Sequence, residues 1–150
     1  LLMSAEAARA AFDAVKEQMV ATGGMPARKG RIVLATVQGD IHDIGKNIVK
    51  VLLENYGFDI LDLGRDVAPE TVVETARREK IRLVGLSALM TTTVPAMAET
   101  IRQLRAQCPG CRVMVGGAVL TQEYATAIGA DFYSKDAMGS VHYAEQLFGG

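Results

Sequence analysis

The sequence predicts an α/β fold: a doubly wound, five-stranded parallel sheet. Three observations predict it. From Arg31 onward, short β-rich runs alternate with segments of helical period to the end of the chain. The runs are almost continuously apolar, as strands covered on both faces must be. Pro69 and Pro95 stand where first-turn prolines are tolerated, and Gly57 follows Tyr56 as a helix-ending glycine does.

The elements follow in order. Ser4 to Val20 carries Ala8, Ala11, Phe12, Val15 and Met19 at helical spacing, with Ser4 as N-cap. Gly23, Gly24, Pro26 and Gly30 then interrupt any period. The chain thus divides into a helix over 1–21, a linker over 22–30 and a domain over 31–150. Within that domain, Ile32 to Val37, Phe58 to Leu63, Leu83 to Ser87, Val113 to Val115 and Asp131 to Tyr133 read as strands. Ile44 to Asn55, Pro69 to Lys80, Val94 to Gln107, Thr121 to Ile128 and Met138 to Phe148 read as helices. Right-handed crossovers put helices on both faces, and ligands of such sheets bind beyond the carboxyl ends of the strands. The loops that matter therefore follow Val37, Leu63, Ser87, Val115 and Tyr133.

Composition narrows the function. A length of 150 residues, 49% hydrophobic, gives one domain with a full core. A net charge of -1 offers no cationic surface for a nucleic-acid backbone or an anionic membrane. The sequence has neither a run of about 18 apolar residues nor a signal-peptide core, so a cytoplasmic protein is expected. An opening apolar run without an initiating Met suggests a piece of a longer chain. Cys108-Pro109-Gly110-Cys111 has redox or zinc spacing, but it follows a helix instead of opening one, and no second pair stands nearby. It reads as a Pro-Gly turn.

The informative loop is Gln38-Gly39-Asp40-Ile41-His42-Asp43-Ile44-Gly45-Lys46-Asn47. A phosphate loop fails here, because five residues separate the glycines instead of four and Asn47 replaces the magnesium-binding hydroxyl. A dinucleotide-binding turn lacks its second and third glycines. Asp40, two residues before His42, can hold one ring nitrogen while the other faces a metal. One imidazole cannot bind a bare ion. A metal already coordinated in a macrocycle needs only one axial ligand.

Asp40-x-His42-x-x-Gly45, then Ser87-x-Leu89, then Gly116-Gly117, is similar to the three-part fingerprint of cobalamin-binding domains, in order at the first, third and fourth strand ends. The resemblance covers Arg31 to Phe148 and implies a flavodoxin-like domain that binds cobalamin base-off. His42 would displace the dimethylbenzimidazole and ligate cobalt, and the displaced nucleotide tail would run into a slot beside the sheet. The cofactor-binding candidates are Gly39, Asp40, Ile41, His42, Asp43, Ile44, Gly45, Ser87, Leu89, Thr91, Gly116, Gly117 and Tyr133. Gly116 and Gly117 are expected to keep a Cβ out of the tail slot. Thr91-Thr92-Thr93 otherwise caps the next helix.

Two branches of the family fit, the first as the main expectation and the second as its alternative. Val84 to Pro95, Val115 to Thr121 and Gly129 to Tyr133 resemble cobalamin-dependent methionine synthase of bacteria, and are also similar to the corrinoid proteins of methanol and methylamine methyltransferase systems. The first branch implies methylcobalamin carrying a methyl group from methyltetrahydrofolate to homocysteine, with folate- and homocysteine-binding domains and a reactivation domain or reductase as partners. Asp40, His42 and Thr93 would then form the catalytic relay, Thr93 matching a serine in that enzyme. The helix at Ser4 to Val20 resembles the last helix of the cap over the methyl face. Either branch makes this chain a carrier domain and not a whole catalyst. An adenosylcobalamin mutase domain or a cobalamin-dependent sensor shares the fingerprint.

Overall fold

A computed structural model describes residues 30–149. The expected helix at Ser4 to Val20 and most of the linker lie outside the described residues. Five strands, β1 (Arg31–Thr36), β2 (Asp59–Asp62), β3 (Leu83–Ser87), β4 (Arg112–Gly116) and β5 (Phe132–Tyr133), form one sheet in the order β2-β1-β3-β4-β5, with every pairing parallel. Five helices connect or follow them: α1 (Ile44–Asn55), α2 (Pro69–Arg78), α3 (Val94–Gln107), α4 (Gln122–Ala127) and α5 (Ala137–Gly149). This is the flavodoxin-like doubly wound arrangement, whose strand order reverses between β1 and β3.

Period-two alternation divides the strands between two cores. Val33, Ala35, Val84, Leu86, Val113 and Val115 point one way, with Val72, Val73 and Ala76 of α2 and Met97, Ile101 and Leu104 of α3 in the same buried cluster. Ile32, Leu34, Leu83 and Met114 point the other way, with Leu53 of α1 and Val141 and Ala144 of α5.

The ends of the elements shift for local reasons. Val37 leaves β1 and makes a single bridge to Val67. Phe58 donates its N–H to Leu53 of the preceding helix, so β2 starts one residue late. Helix α2 stops at Arg78 because Lys80 takes a left-handed φ of 54°. Thr121 caps α4 by accepting the Tyr124 N–H at 3.1 Å, instead of lying inside the helix. Thr91–Thr93, expected as a capping loop, forms one 3-10 turn, and Thr93 makes no side-chain cap to α3. Cys108 to Cys111 is a turn closed by the Cys111 N–H on the Cys108 carbonyl at 2.9 Å, and both thiols are free.

Candidate functional site

The loop that carries His42 begins where β1 ends. Gly39 turns the chain at φ 88°, a conformation that L side chains rarely adopt. The turn sends the Asp40 side chain inward, where it is fully buried. Its carboxylate is satisfied on both oxygens. Oδ1 accepts the His42 backbone N–H at 3.0 Å and lies 2.8 Å from His42 Nδ1. Oδ2 accepts the N–H groups of Leu89 at 2.7 Å and Met90 at 3.2 Å. The Thr93 hydroxyl lies 2.8 Å from that same oxygen and from the Met90 carbonyl, and its single proton favours the charged acceptor.

Burial works to raise the Asp40 pKa, but the N–H groups of Leu89 and His42, the His42 ring and the Thr93 hydroxyl outweigh it and hold the acid well below its ordinary value. An ionised Asp40 only accepts, so Nδ1 of a neutral His42 is the nitrogen that carries hydrogen. Nε2 is left with its lone pair. The His42 side chain is 45% exposed, although its partner is sealed.

His42 lines a cavity of about 590 Å³, within the usual range of cofactor pockets. Its wall includes Ile41, Asp43, Ile44, Gly45, Ser87, Leu89, Gly116, Gly117 and Tyr133. Three expected binding residues are not in this wall: Gly39, Asp40 and Thr91. Gly39 and Asp40 stand behind His42, and Thr91 is exposed on the 3-10 turn. Tyr133 brings its ring to the wall, while its hydroxyl donates to the Leu120 carbonyl at 2.9 Å.

The glycines differ in what they permit. A Cβ on Gly45 would meet nothing within 4 Å, and one on Gly116 only the Ser134 carbonyl at 3.6 Å, so these two leave open space in the cavity. Gly117 is a correction to the expectation that it clears the slot. With φ at 143°, its added Cβ would lie 1.8 Å from the Ala88 carbonyl oxygen, so the close approach of two loops is what requires glycine there.

The sequence reading missed Gly85, Leu34, Met114 and Ser140 on the same wall. Gly85 was within reach, because it precedes Ser87 by two on β3 and therefore shares its face. A Cβ on it would strike Leu34 Cδ2 at 2.5 Å, so this glycine lets the neighbouring side chains fold across the sheet. Ser140 carries no sequence signal. It reaches the wall from α5, donating to Ser134 Oγ at 2.9 Å, and the Ser134 hydroxyl in turn donates to the Asp136 carbonyl.

These features suit a corrinoid. Among the described residues, no group of three or more His, Cys, Asp or Glu could hold a bare ion. One part-exposed imidazole in the wall of a mainly apolar cavity fits a metal that brings its own equatorial ligands. No helix among those residues is long and apolar enough to cross a membrane.

Comparison with known proteins agrees. The B12 binding domain family matches residues 30–141. The chain is 42% identical over 149 residues to dimethylamine corrinoid protein 1 of Methanosarcina acetivorans, covering 98% of this chain and 70% of that one. Among solved structures, it is similar to the methanol:cobalamin methyltransferase complex MtaBC of Methanosarcina barkeri, at TM-score 0.85 and 32% identity over 96% of this chain and 56% of that one. The monomethylamine corrinoid protein of the same organism aligns at TM-score 0.74 and 32% identity, over 91% of this chain and 68% of that one. A cobalamin-binding protein of Desulfitobacterium hafniense is spanned over 65% of its length, at TM-score 0.80 and 32% identity. Cobalamin is the cofactor of this domain, and the chain belongs to the B12-binding family, among the corrinoid proteins of methylamine and methanol methyltransferase systems.

Proposed function

We propose that the domain holds cobalamin base-off, with His42 Nε2 as the lower axial ligand to cobalt, and carries a methyl group between two methyltransferases that act on a methylated amine or methanol and on an acceptor. The observation that supports this best is the buried Asp40 carboxylate on His42 Nδ1. It fixes the tautomer, strengthens the imidazole as a donor and leaves Nε2 free. When bound, the corrinoid supplies the cobalt that accepts and releases the methyl group.

The chain's own residues orient and enclose. Leu89, Met90 and Thr93 hold Asp40 from the β3 side, so the ligand pair cannot turn independently of the sheet. Ser87 and Gly116 stand in register on adjacent strands, and the missing Cβ of Gly116 leaves room for the nucleotide tail beside the Ser87 hydroxyl. Ile41, Ile44 and Leu89 line the cavity with exposed apolar side chains, against which a corrin ring can lie. Thr93 is the third member of a proton relay in which His42 Nδ1 gives hydrogen to Asp40.

The relatives favour the methylamine and methanol branch over methionine synthase, so methylamine or methanol methyltransferase subunits replace the folate- and homocysteine-binding domains as proposed partners. In the protein loaded with cobalamin, the cobalt(II) form should show hyperfine coupling to one imidazole nitrogen by electron paramagnetic resonance. His42→Ala should abolish it while the corrinoid stays bound. Unchanged coupling in His42→Ala would remove His42 as ligand.

A further inference from the structure

Gly45-Lys46-Asn47 belongs to no phosphate loop, yet Lys46 is only 4% exposed, and a lysine is rarely buried unless its charge is paired. It stands on α1 three and seven residues before Val49 and Leu53, which pack in the core beneath that helix. A lysine thus occupies the first position of a face that is otherwise apolar. Its Nζ donates to Asp62 Oδ1 at 2.6 Å and to Asn47 Oδ1 at 3.1 Å. Lys50 stands 3.9 Å from the other Asp62 oxygen.

Asp62 ends β2 and begins a loop that returns to the ligand. Its Oδ1 also accepts the Gly64 N–H at 2.8 Å. The Gly64 carbonyl accepts the Thr36 N–H at 2.9 Å, and the Thr36 hydroxyl donates to the His42 carbonyl at 3.3 Å. Asp66 accepts the Gly39 N–H at 2.7 Å and donates its own N–H to the Asp40 carbonyl at 2.9 Å. One loop therefore holds both flanks of His42: Gly39 and Asp40 before it, Lys46 after it. Burial opposes the charge on Asp62, and the Lys46 ammonium, the Gly64 N–H and Lys50 more than offset it, keeping that acid below its ordinary value. Buried ion pairs are a poor source of stability, since apolar replacements of both partners are often neutral or better. Fixing position is their better-attested use.

We infer that Lys46 is a positioning residue for His42: its buried pair with Asp62 sets where the first turn of α1 stands on the sheet, and so how far the His42 ring projects into the cavity. This rests on the reading of His42 as the lower ligand. The test uses the full chain, with Lys46→Met to keep length without charge, Lys46→Arg to restore charge, and Asp62→Asn as a second way to break the pair. Amide exchange of residues 47–50 is measured without cofactor, nitrogen coupling is measured in the loaded cobalt(II) form, and thermal unfolding is the control.

With Lys46→Met, exchange at 47–50 should rise about tenfold above that of α3 and α5, and part of the bound corrinoid should lose its nitrogen coupling. Lys46→Arg should recover both. If Lys46→Met does not fold, Asp62→Asn should show the same local pattern. Exchange and coupling like those of the parent, or exchange raised equally in all helices, would overturn the proposal. A parent without nitrogen coupling would instead refute the ligand reading, and the exchange result would still judge Lys46.

Discussion

The two faces of the sheet are built from the same five strands, yet one is closed and the other holds a cavity. On the closed face, successive strands present Val33, Val84 and Val113, then Ala35, Leu86 and Val115, and α2 and α3 pack over them. On the other face, the corresponding rows read Leu34, Gly85 and Met114, then Thr36, Ser87 and Gly116. Glycine and short polar side chains take the upper positions, so α1 and α5 rest on the lower sheet and leave a cleft above. The cavity is therefore a deletion from an otherwise ordinary core. It lies at the carboxyl ends of the strands, where the helices have not yet closed on the sheet.

Three experiments sharpen or break that contrast. Ile101→Ala, on the closed face, should cost about 2–5 kcal/mol of folding free energy, because the site is fully packed and cannot collapse. Corrinoid affinity of the folded fraction should stay the same. Chemical denaturation with and without cofactor checks this, and a selective loss of affinity would show that the two faces are coupled.

Gly116→Ala, on the open face, should behave the other way. Its Cβ meets only the Ser134 carbonyl at 3.6 Å, so stability should change by less than about 1 kcal/mol. The methyl group projects into the slot, and cobalamin affinity should fall roughly tenfold, equivalent to about 1.4 kcal/mol. Titration with cobalamin and with a corrinoid that lacks the nucleotide separates a blocked slot from a general defect. Equal losses for both would move the tail elsewhere.

The smallest effect concerns the thiols at the opposite end of the sheet. Burial, with Cys108 nearby, pushes Cys111 up to about 12, and burial raises Cys108 as well. The folded state therefore keeps thiol protons that the unfolded chain releases from about pH 8.5. Stability should be flat below that pH and decline as pH rises toward 12. At pH 7.5, iodoacetamide should label neither cysteine in the native protein. Rapid native labelling of Cys111 would contradict its burial.

Much of this was legible in advance because strand and helix periods are local. Apolar runs marked all five strands to within two residues, and Asp40, His42 and Gly45 stood out as a group that the neighbouring loops could complete. What was not legible depended on contacts between distant segments. Gly117 looked like part of a slot and proves to be required by the Ala88 carbonyl. Thr93 looked like a helix cap as well as a relay member, and its hydroxyl lies at Asp40 instead of capping α3. Lys46 had no role left once a phosphate loop was excluded, because nothing near it in sequence predicts Asp62 sixteen residues later.

From the sequence came the doubly wound topology, the end of the sheet at which the candidate loops gather, and the pairing of a carboxylate with an imidazole in one of them. These follow from alternation, from the handedness of crossovers and from residue types within one loop. How that imidazole is held depends on contacts between distant segments. Asp40 gathers donors from positions 42, 89, 90 and 93, and the loop from Asp62 to Asp66 grips the flanks of His42. Such partners become neighbours only when β1 lies between β2 and β3, so their chemistry belongs to the sheet and not to any one segment of the chain.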